Sequence, residues 1–217
     1  MRKYFLLFTA IAVSLSCKGM MLDMHPSDGM PFDSTQLVKT GEMLDEDIYW
    51  DIVDRSLIYK DDQGKQIAFL TAEIEKLSPK QIVGFSLRTE KLLYDTYTSD
   101  MWCAGYIMNG GCSDDGFQYF RNWVISRGRS VYYKAKKHPD DLIEEVGEVI
   151  VYEFEEFWYV AHVAFANKTG KNLEDYIDYT VFTSRENAYP DFEFTWNGDD
   201  KESMRRICPK LMEKFWN

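Results

Sequence analysis

A proline-free stretch from Lys80 to His138 limits the folds that this chain can adopt. Proline interrupts a helix more strongly than any other residue, so this stretch permits several helices without a break. Directly before it, Ser78 can cap a helix, Pro79 fits the first helical position, and Gln81 can complete a capping box with Ser78. We therefore predict that a helical core begins at Ser78.

Apolar residues recur at intervals of three and four along most of the chain, which is the spacing of an amphipathic helix. These helical faces are marked by Ile48, Ile52, Val53 and Leu57, by Ile67, Leu70, Ile74 and Leu77, by Phe85, Leu92 and Leu93, by Phe117, Phe120 and Val124, and by Phe157, Val160, Ala161 and Ala164. A final helix is predicted over residues 201–215, with a disturbance at Pro209. Residues 148–154 alternate like a strand, but weakly. The predicted fold class is mainly α, a compact multi-helix single domain.

The N-terminus has the three regions of a secretory signal in the right order. Residues 1–4 include two basic side chains, residues 5–13 are apolar, and small and polar residues follow up to position 16. The apolar run is shorter than the roughly 20 residues that span a bilayer. We therefore predict a cleaved signal peptide over residues 1–16 and a location in the bacterial cell envelope.

Cys17 directly follows a small residue, Ser16, which is typical of a lipoprotein cleavage site. Ser14 and Ser16 also fit the small-x-small rule for ordinary signal cleavage, which would release a soluble periplasmic or secreted product. We predict the lipoprotein, with a lipid on Cys17. Residues 17–44 then form the anchor cysteine and linker, and residues 45–217 the helical domain.

The acidic balance of the chain restricts its partners. It has 25 Lys and Arg against 36 Asp and Glu, which gives a formal net charge of −11. Binding to nucleic acid needs clustered basic residues, so we predict no nucleic-acid partner. Charge alone also disfavours adsorption to anionic lipid, so the only predicted membrane contact is the lipid anchor.

The cysteines indicate no metal centre. If Cys17 is lipidated, Cys103, Cys112 and Cys208 remain, and an odd number cannot all pair within one chain. No Cys-x-x-Cys pair and no Cys/His cluster with zinc spacing occurs, so we predict no metal site and no cofactor. We interpret the three cysteines mainly as buried thiols. A disulfide between Cys103 and Cys112 is the alternative in an oxidising compartment.

The sharpest candidate site begins with a glycine turn. Asn109, Gly110 and Gly111 can end a helix by adopting positive φ, or they can form a ligand loop. Asp114 and Asp115 follow at the start of the next predicted helix. There they can complement the helix dipole, or they can share a proton or hold a hard cation.

Aromatic and basic residues extend this candidate site along the same helix. Most aromatic side chains should be core, but Phe117, Tyr119 and Trp123 are candidates for an exposed patch. Tyr and Trp are enriched where proteins bind proteins or peptides. Arg127 can bind a carboxylate or phosphate, or it can stabilise the carbonyls at the helix end.

Five segments of the chain carry a resemblance to a known family: Trp102-Cys103-Ala104-Gly105-Tyr106, Asn109-Gly110-Gly111-Cys112-Ser113-Asp114-Asp115-Gly116-Phe117, Leu77-Ser78-Pro79, Glu155-Glu156-Phe157-Trp158-Tyr159 and Trp196 with Asp199-Asp200. The second of them, with the residues around it, resembles the centre of a bacterial family, domain of unknown function 4240. The resemblance covers roughly Asp45 to the C-terminus, implies one family domain and brings no activity with it. The central cysteines are similar to those of cytosolic relatives, which argues against a structural disulfide.

Three interpretations from different classes fit these patterns, the last of them a purely structural envelope lipoprotein. The first is a tethered module that binds an unknown protein or peptide through the surface around residues 109–127. The alternative is a small hydrolase or metal-assisted enzyme that uses Asp114 and Asp115, with Glu155 or His162. No nucleophile elbow, phosphate loop, dinucleotide fingerprint or zinc-protease motif occurs. Convergence of the two aspartates with Glu155 or His162 in a polar pocket would favour the enzyme, whereas a flat aromatic rim would favour binding.

Overall fold

The computed structural model describes residues 37–147, 151–180 and 189–216, and its regular structure is helical. Within these ranges the α-helices are α1 (Glu46–Ser56), α2 (Gln63–Ile74), α3 (Pro79–Asp95), α4 (Ser99–Asn109), α5 (Asp114–Ser126), α6 (Arg129–Lys137), α7 (Val160–Thr169), α8 (Lys201–Ile207) and α9 (Pro209–Phe215). Short 3-10 helices lie at Leu57–Tyr59, Pro139–Glu145, Glu155–Tyr159 and Leu173–Tyr176. The predicted mainly α fold class is confirmed.

Local capping sets several of these helix boundaries. The Ser78 hydroxyl accepts from the Gln81 amide at 3.3 Å, and the Gln81 side chain accepts from the Ser78 amide at 3.1 Å, which is the predicted capping box. Helix α4 ends at Gly110, whose φ is 68°. Ser113 caps α5 by accepting from the amide of Gly116 at 3.1 Å. These boundaries follow from chemistry within a few residues, which is why the sequence predicts them well.

Helix α5 lies near the centre of the packing and contacts α3, α4 and α6. Helices α2 and α3 both pack against α7, while α4 packs against α8 and α9. The core that they enclose is rich in aromatic side chains, and its largest fully buried members include Trp50, Tyr49, Tyr132, Phe85, Phe117 and Phe120.

Helix α1 is rotated relative to the predicted apolar face. Ile48 is 42% exposed, whereas its neighbours Tyr49 and Trp50 are buried. The Tyr49 ring packs 4.4 Å from that of Phe85, and the Trp50 ring lies 5.3 Å from that of Tyr132. Burying two large rings removes more apolar area from water than burying one isoleucine, so the rings set the orientation of the helix.

Arg121 joins α5 to the end of α3 from inside the core. Its guanidinium is buried and donates to the backbone carbonyls of Leu93 and Phe117. It lies 4.5 Å from the centre of the Phe117 ring and 5.0 Å from that of Tyr97. Burial lowers the pKa of Arg121. The carbonyls and ring faces compensate for this buried charge in place of a carboxylate.

The weak strand pattern over residues 148–154 does not produce a strand in the described part, residues 151–154. This segment runs beside α5, where the Phe154 amide donates to the Tyr119 carbonyl at 2.9 Å. A helix offers no strand edge with which to form a ladder, so the segment is held by isolated hydrogen bonds such as this one. Residues 148–150 lie outside the described residues.

The predicted signal peptide, Cys17 and the linker as far as residue 36 also lie outside the described residues. Where the description begins, Thr40 forms an isolated bridge with Ile177, and Leu44 is buried in the core. Among the helices of the described part, none combines the length and the apolar character needed to cross a membrane.

Candidate functional site

The turn at residues 109–111 holds a distant segment against the start of α5. The Asn109 side chain accepts from the Tyr152 amide at 2.8 Å and donates to the Tyr152 carbonyl at 3.4 Å. Gly110 and Gly111 have φ values of 68° and 139°, so both adopt the positive φ that the sequence predicts. Asn109 is therefore occupied by backbone contacts, and it fixes the position of the residues that follow Tyr152.

Three of the candidate binding residues lie inside the molecule. Phe117 is 0% exposed and stacks on Trp102 with 3.9 Å between ring centres, and Trp123 is 4% exposed. The buried Arg127 donates to the Gln66 side chain at 3.2 Å, and its guanidinium lies over the Trp123 ring. These three side chains are buried in the core, so they do not form part of a binding surface.

Asp114 and Asp115 lie at the surface in the first turn of α5. Ser113 caps the helix, so neither carboxylate is needed for that contact. Neither forms an ion pair with another described residue. Their negative charge complements the helix dipole and leaves their outer oxygens open to solvent.

Glu153 brings a third carboxylate to the same end of α5. A Cβ added to Gly116 would lie 3.1 Å from Oε1 of Glu153, so the Glu153 carboxylate covers the first turn of the helix. Partial burial raises the pKa of Glu153, and the charge of Glu155 raises it further. Burial, with Glu153 nearby, also raises the pKa of the Cys112 thiol to about 12. Cys112 is therefore protonated at neutral pH and is a poor nucleophile.

Tyr119 connects α5 to the 3-10 helix Glu155–Tyr159. Its hydroxyl lies close enough to Glu155, Asp115 and Tyr159 for these groups to act on its pKa. Partial burial and these acidic neighbours raise the pKa of Tyr119. Tyr159 is 48% exposed, so it presents a second aromatic ring to solvent.

These side chains form one surface at the N-terminal end of α5. We call it the acidic aromatic face, and it comprises Asp114, Asp115, Tyr119, Glu153, Glu155 and Tyr159, together with Glu156, the exposed neighbour of Glu155 in the same 3-10 helix. The sequence indicated the two aspartates, Tyr119 and Glu155. The sequence did not indicate Glu153, because the contact of its carboxylate with the first turn of α5 depends on how residues 151–155 pack along that helix.

His162 interacts with Glu174. Its Nε2 lies 2.8 Å from Oε1 of Glu174, and Glu174 also accepts from the Tyr179 hydroxyl. No hydrogen bond or ion pair joins His162 to Asp114 or Asp115 in the described part of the chain. Nor do the described residues contain a group of three or more His, Cys, Asp or Glu side chains arranged to hold a metal ion. His162 therefore does not converge with the two aspartates. Glu155 lies on the same surface as they do, but all three carboxylates are exposed and form an open face.

A polar groove of about 490 Å³ lies away from this face, between the end of α6 and the start of α9. Both charge signs line it, including Asp100, Asp140, Lys137 and Arg206. The Asp140 carboxylate accepts from the backbone amides of Lys210 and Leu211 at 3.2 and 3.0 Å. The groove therefore has no dominant charge, in contrast to the acidic aromatic face.

The three described cysteines are free thiols. Cys112 is half-buried beside Glu153, whereas Cys103 is fully buried on the side of α4 that faces α8 and α9. Its Sγ lies 3.9 Å from the carbonyl of Met204. The alternative Cys103–Cys112 disulfide is therefore not formed, because the two side chains face different neighbours.

Removing the charge of Glu153 should stabilise the fold. Because its pKa is raised on folding, the folded state favours the protonated form, so stability falls as pH rises through that pKa. We expect Glu153→Gln to gain about 0.5 kcal/mol at pH 7, the scale of interactions between partly exposed charges. The gain should vanish near pH 4, where the wild-type carboxyl is protonated. Urea unfolding at both pH values measures it.

Glu174→Gln is a control of opposite sign for this prediction. The hydrogen bond from His162 lowers the pKa of Glu174, so its charge stabilises the fold above the ordinary glutamate pKa and ceases to do so as pH falls. The glutamine variant should lose stability at pH 7. A loss for Glu153→Gln at pH 7 would show that folding does not raise the pKa of Glu153.

A comparison with family models matches residues 44–167 to the family described as "Protein of unknown function (DUF4240)". No curated protein and no solved structure gives a significant match. The matched residues span more than half of the chain and contain the acidic aromatic face, while α8 and α9 lie beyond them. The resemblance seen in the sequence is thereby confirmed over residues 44–167, and the chain belongs to the DUF4240 family of proteins of unknown function.

Proposed function

We propose that this chain is a binding module that holds a cationic segment of a partner protein or peptide on its acidic aromatic face. The observation that supports this proposal is the set of carboxylates on that face that have no cationic partner among the described residues. They belong to Asp114, Asp115, Glu153, Glu155 and Glu156. A lysine or arginine from a partner supplies the missing positive charge.

Many acids elsewhere in the described residues do have such partners. Glu73 pairs with Arg55 at 3.0 Å and also with Lys76, and Asp95 pairs with Lys136 at 2.9 Å and also with Lys91. Holding several carboxylates together without cations costs free energy, because like charges repel. Complementary charge from a partner relieves that repulsion and also speeds the encounter.

The partly exposed ring of Tyr119 and the exposed ring of Tyr159 add contact area to the charge of this face. Tyrosine is enriched at protein interfaces, where its ring supplies contact area and its hydroxyl supplies hydrogen bonds. A lysine or arginine stem can lie along such a ring while its charged head reaches a carboxylate. The combination favours a peptide with basic residues over a small inorganic cation.

The two halves of the face are held in place before any partner binds. Asn109 fixes Tyr152 through both of its backbone polar groups, and the Phe154 amide donates to the Tyr119 carbonyl. Glu153 and Glu155 are therefore positioned next to α5 by backbone contacts. Pre-organisation lowers the entropy that binding must overcome.

Binding of a labelled oligo-lysine peptide, followed by fluorescence anisotropy, tests the proposal. The test variant combines Asp114→Asn, Asp115→Asn, Glu155→Gln and Glu156→Gln. We expect its affinity to fall about ten-fold or more, since four interactions between surface charges are lost. Added salt should weaken binding to the wild type.

A variant with the same change in charge provides the matched control. It combines Asp175→Asn, Asp191→Asn, Glu193→Gln and Asp199→Asn, four exposed acids outside the face. The control should bind nearly as well as the wild type. Equal losses in the two variants would show that only net charge matters and would overturn the proposed site.

We also propose that a lipid on Cys17 tethers this module to a membrane. The signal pattern over residues 1–16 and the small residue before Cys17 support this proposal. Cys17→Ala should move the exported protein from the membrane fraction to the soluble fraction, because one residue carries the anchor. Fractionation and immunoblotting measure the change. A variant that stays with the membrane after a salt wash would disprove the lipid anchor.

A further inference from the structure

Two buried cysteines meet between α4 and the C-terminal helices. Cys103 lies on α4 and Cys208 at the junction of α8 and α9, and both are 0% exposed. The carbonyl of Met204 accepts from the Cys208 amide at 2.9 Å and lies 3.9 Å from the Cys103 sulfur. One carbonyl therefore brings the two residues together, although more than a hundred positions separate them in the chain.

The Met204 carbonyl lies beside both residues, and their thiols are close enough to interact. Contact with the Cys103 thiol, together with burial, raises the pKa of Cys208. Cys112 does not compete for either of them, because it lies beside Glu153 at the start of α5. Cys103 and Cys208 are thus a matched pair within the described part of the chain.

We propose that Cys103 and Cys208 form a disulfide when the chain folds in the presence of a disulfide oxidant, such as oxidised glutathione. One cysteine thiolate attacks the oxidant and releases one glutathione thiol, which leaves a mixed disulfide. The second cysteine thiolate then attacks the protein sulfur and releases the second glutathione. The cysteines lose two hydrogens and two electrons, and the oxidant becomes two thiols.

The bond would fasten the C-terminal segment to the part of the chain that defines the family. Cys103 lies within residues 44–167, whereas Cys208 lies beyond them. Closing so long a loop restricts the unfolded chain strongly. We expect the oxidised form to melt about 5–15 °C above the reduced form.

Burial also determines when the bond can form. A thiol that is buried and has a raised pKa is rarely a thiolate, so it reacts slowly in the folded state. Oxidation should therefore accompany folding rather than follow it. The folded, reduced protein should react with oxidised glutathione at least ten-fold more slowly than the refolding chain.

Refolding the full chain with Cys17→Ser in a mixture of reduced and oxidised glutathione tests this proposal. Free thiols are then alkylated, and the peptides are mapped by mass spectrometry without reduction. We expect a cross-linked peptide pair that contains Cys103 and Cys208, with Cys112 alkylated. Cys112→Ser should leave the cross-link and the rise in melting temperature unchanged, while Cys208→Ser should abolish both.

The peptide map of the parent chain is decisive even if a variant fails to fold. Alkylated Cys103 and Cys208 would overturn the proposal, as would glutathione adducts on both or a Cys103–Cys112 cross-link. A cross-link without a higher melting temperature would overturn its stabilising role. The experiment takes place in a defined buffer, so its outcome does not depend on export or on the proposed binding function.

Discussion

Replacing Phe117 with alanine is expected to lower the free energy of unfolding by about 3–5 kcal/mol, the range for removing a fully buried aromatic ring. Phe117 is 0% exposed, and its ring centre lies 3.9 Å from that of Trp102 and 5.5 Å from that of Tyr97. The shortened side chain would leave a cavity at the contact between α4 and α5. Urea unfolding followed by circular dichroism measures the loss.

Tyr119→Ala is the matched control, since it removes an aromatic ring only two positions further along α5. Its side chain is partly exposed, so we expect a loss of less than about 1 kcal/mol. The same variant should bind oligo-lysine more weakly, because Tyr119 belongs to the acidic aromatic face. A large loss of stability for Tyr119→Ala with none for Phe117→Ala would contradict the orientation of α5.

Gly84→Ala is expected to destabilise the fold by about 1–3 kcal/mol, the usual cost of overpacking a core. A Cβ at this position of α3 would lie 2.7 Å from the Leu44 amide nitrogen and 3.0 Å from the Glu42 carbonyl oxygen. Both atoms are backbone, so they cannot move aside as the end of a flexible side chain can. The hydrogen bond from the Leu44 amide to the Gly84 carbonyl, now 2.8 Å, would be strained as well.

Gly64→Ala is the control, because it makes the same substitution at a position where the added Cβ has space. Gly64 is exposed in the first turn of α2, and an added Cβ would meet only the Asp62 side chain at an ordinary 3.6 Å. Alanine favours a helix over glycine, so this variant should be neutral or slightly more stable. Equal melting temperatures for the two alanine variants would show that α3 does not approach residues 42–44 closely.

The sequence predicted the features that depend on neighbouring residues. The capping box at Ser78, the turn at Gly110 and Gly111, and the helix break at Pro209 all occur as expected. Each depends on hydrogen bonds or backbone angles within a few positions. The apolar spacing was sufficient to indicate the mainly α fold class for the same reason.

Contacts between residues that are far apart in the chain could not be predicted from the sequence. Nothing near Asn109 indicates that it binds the backbone of Tyr152, and nothing near Glu153 indicates that its carboxylate covers α5. Arg127 is a surface candidate by its charge, but the Gln66 side chain and the Trp123 ring hold it in the interior. Such pairings depend on how whole helices pack, and periodicity along one helix does not specify them.

Two-dimensional NMR of the 15N-labelled chain during a titration with oligo-lysine tests the central claim most directly. Binding at the acidic aromatic face should shift the backbone amide signals of residues 112–119 and 153–159. The amide signals of seven residues that line the polar groove should remain in place: Lys137, His138, Asp140, Asp141, Arg206, Ile207 and Lys210. Shifts concentrated at that groove, or no shifts at residues 112–119 and 153–159, would contradict the proposed binding site.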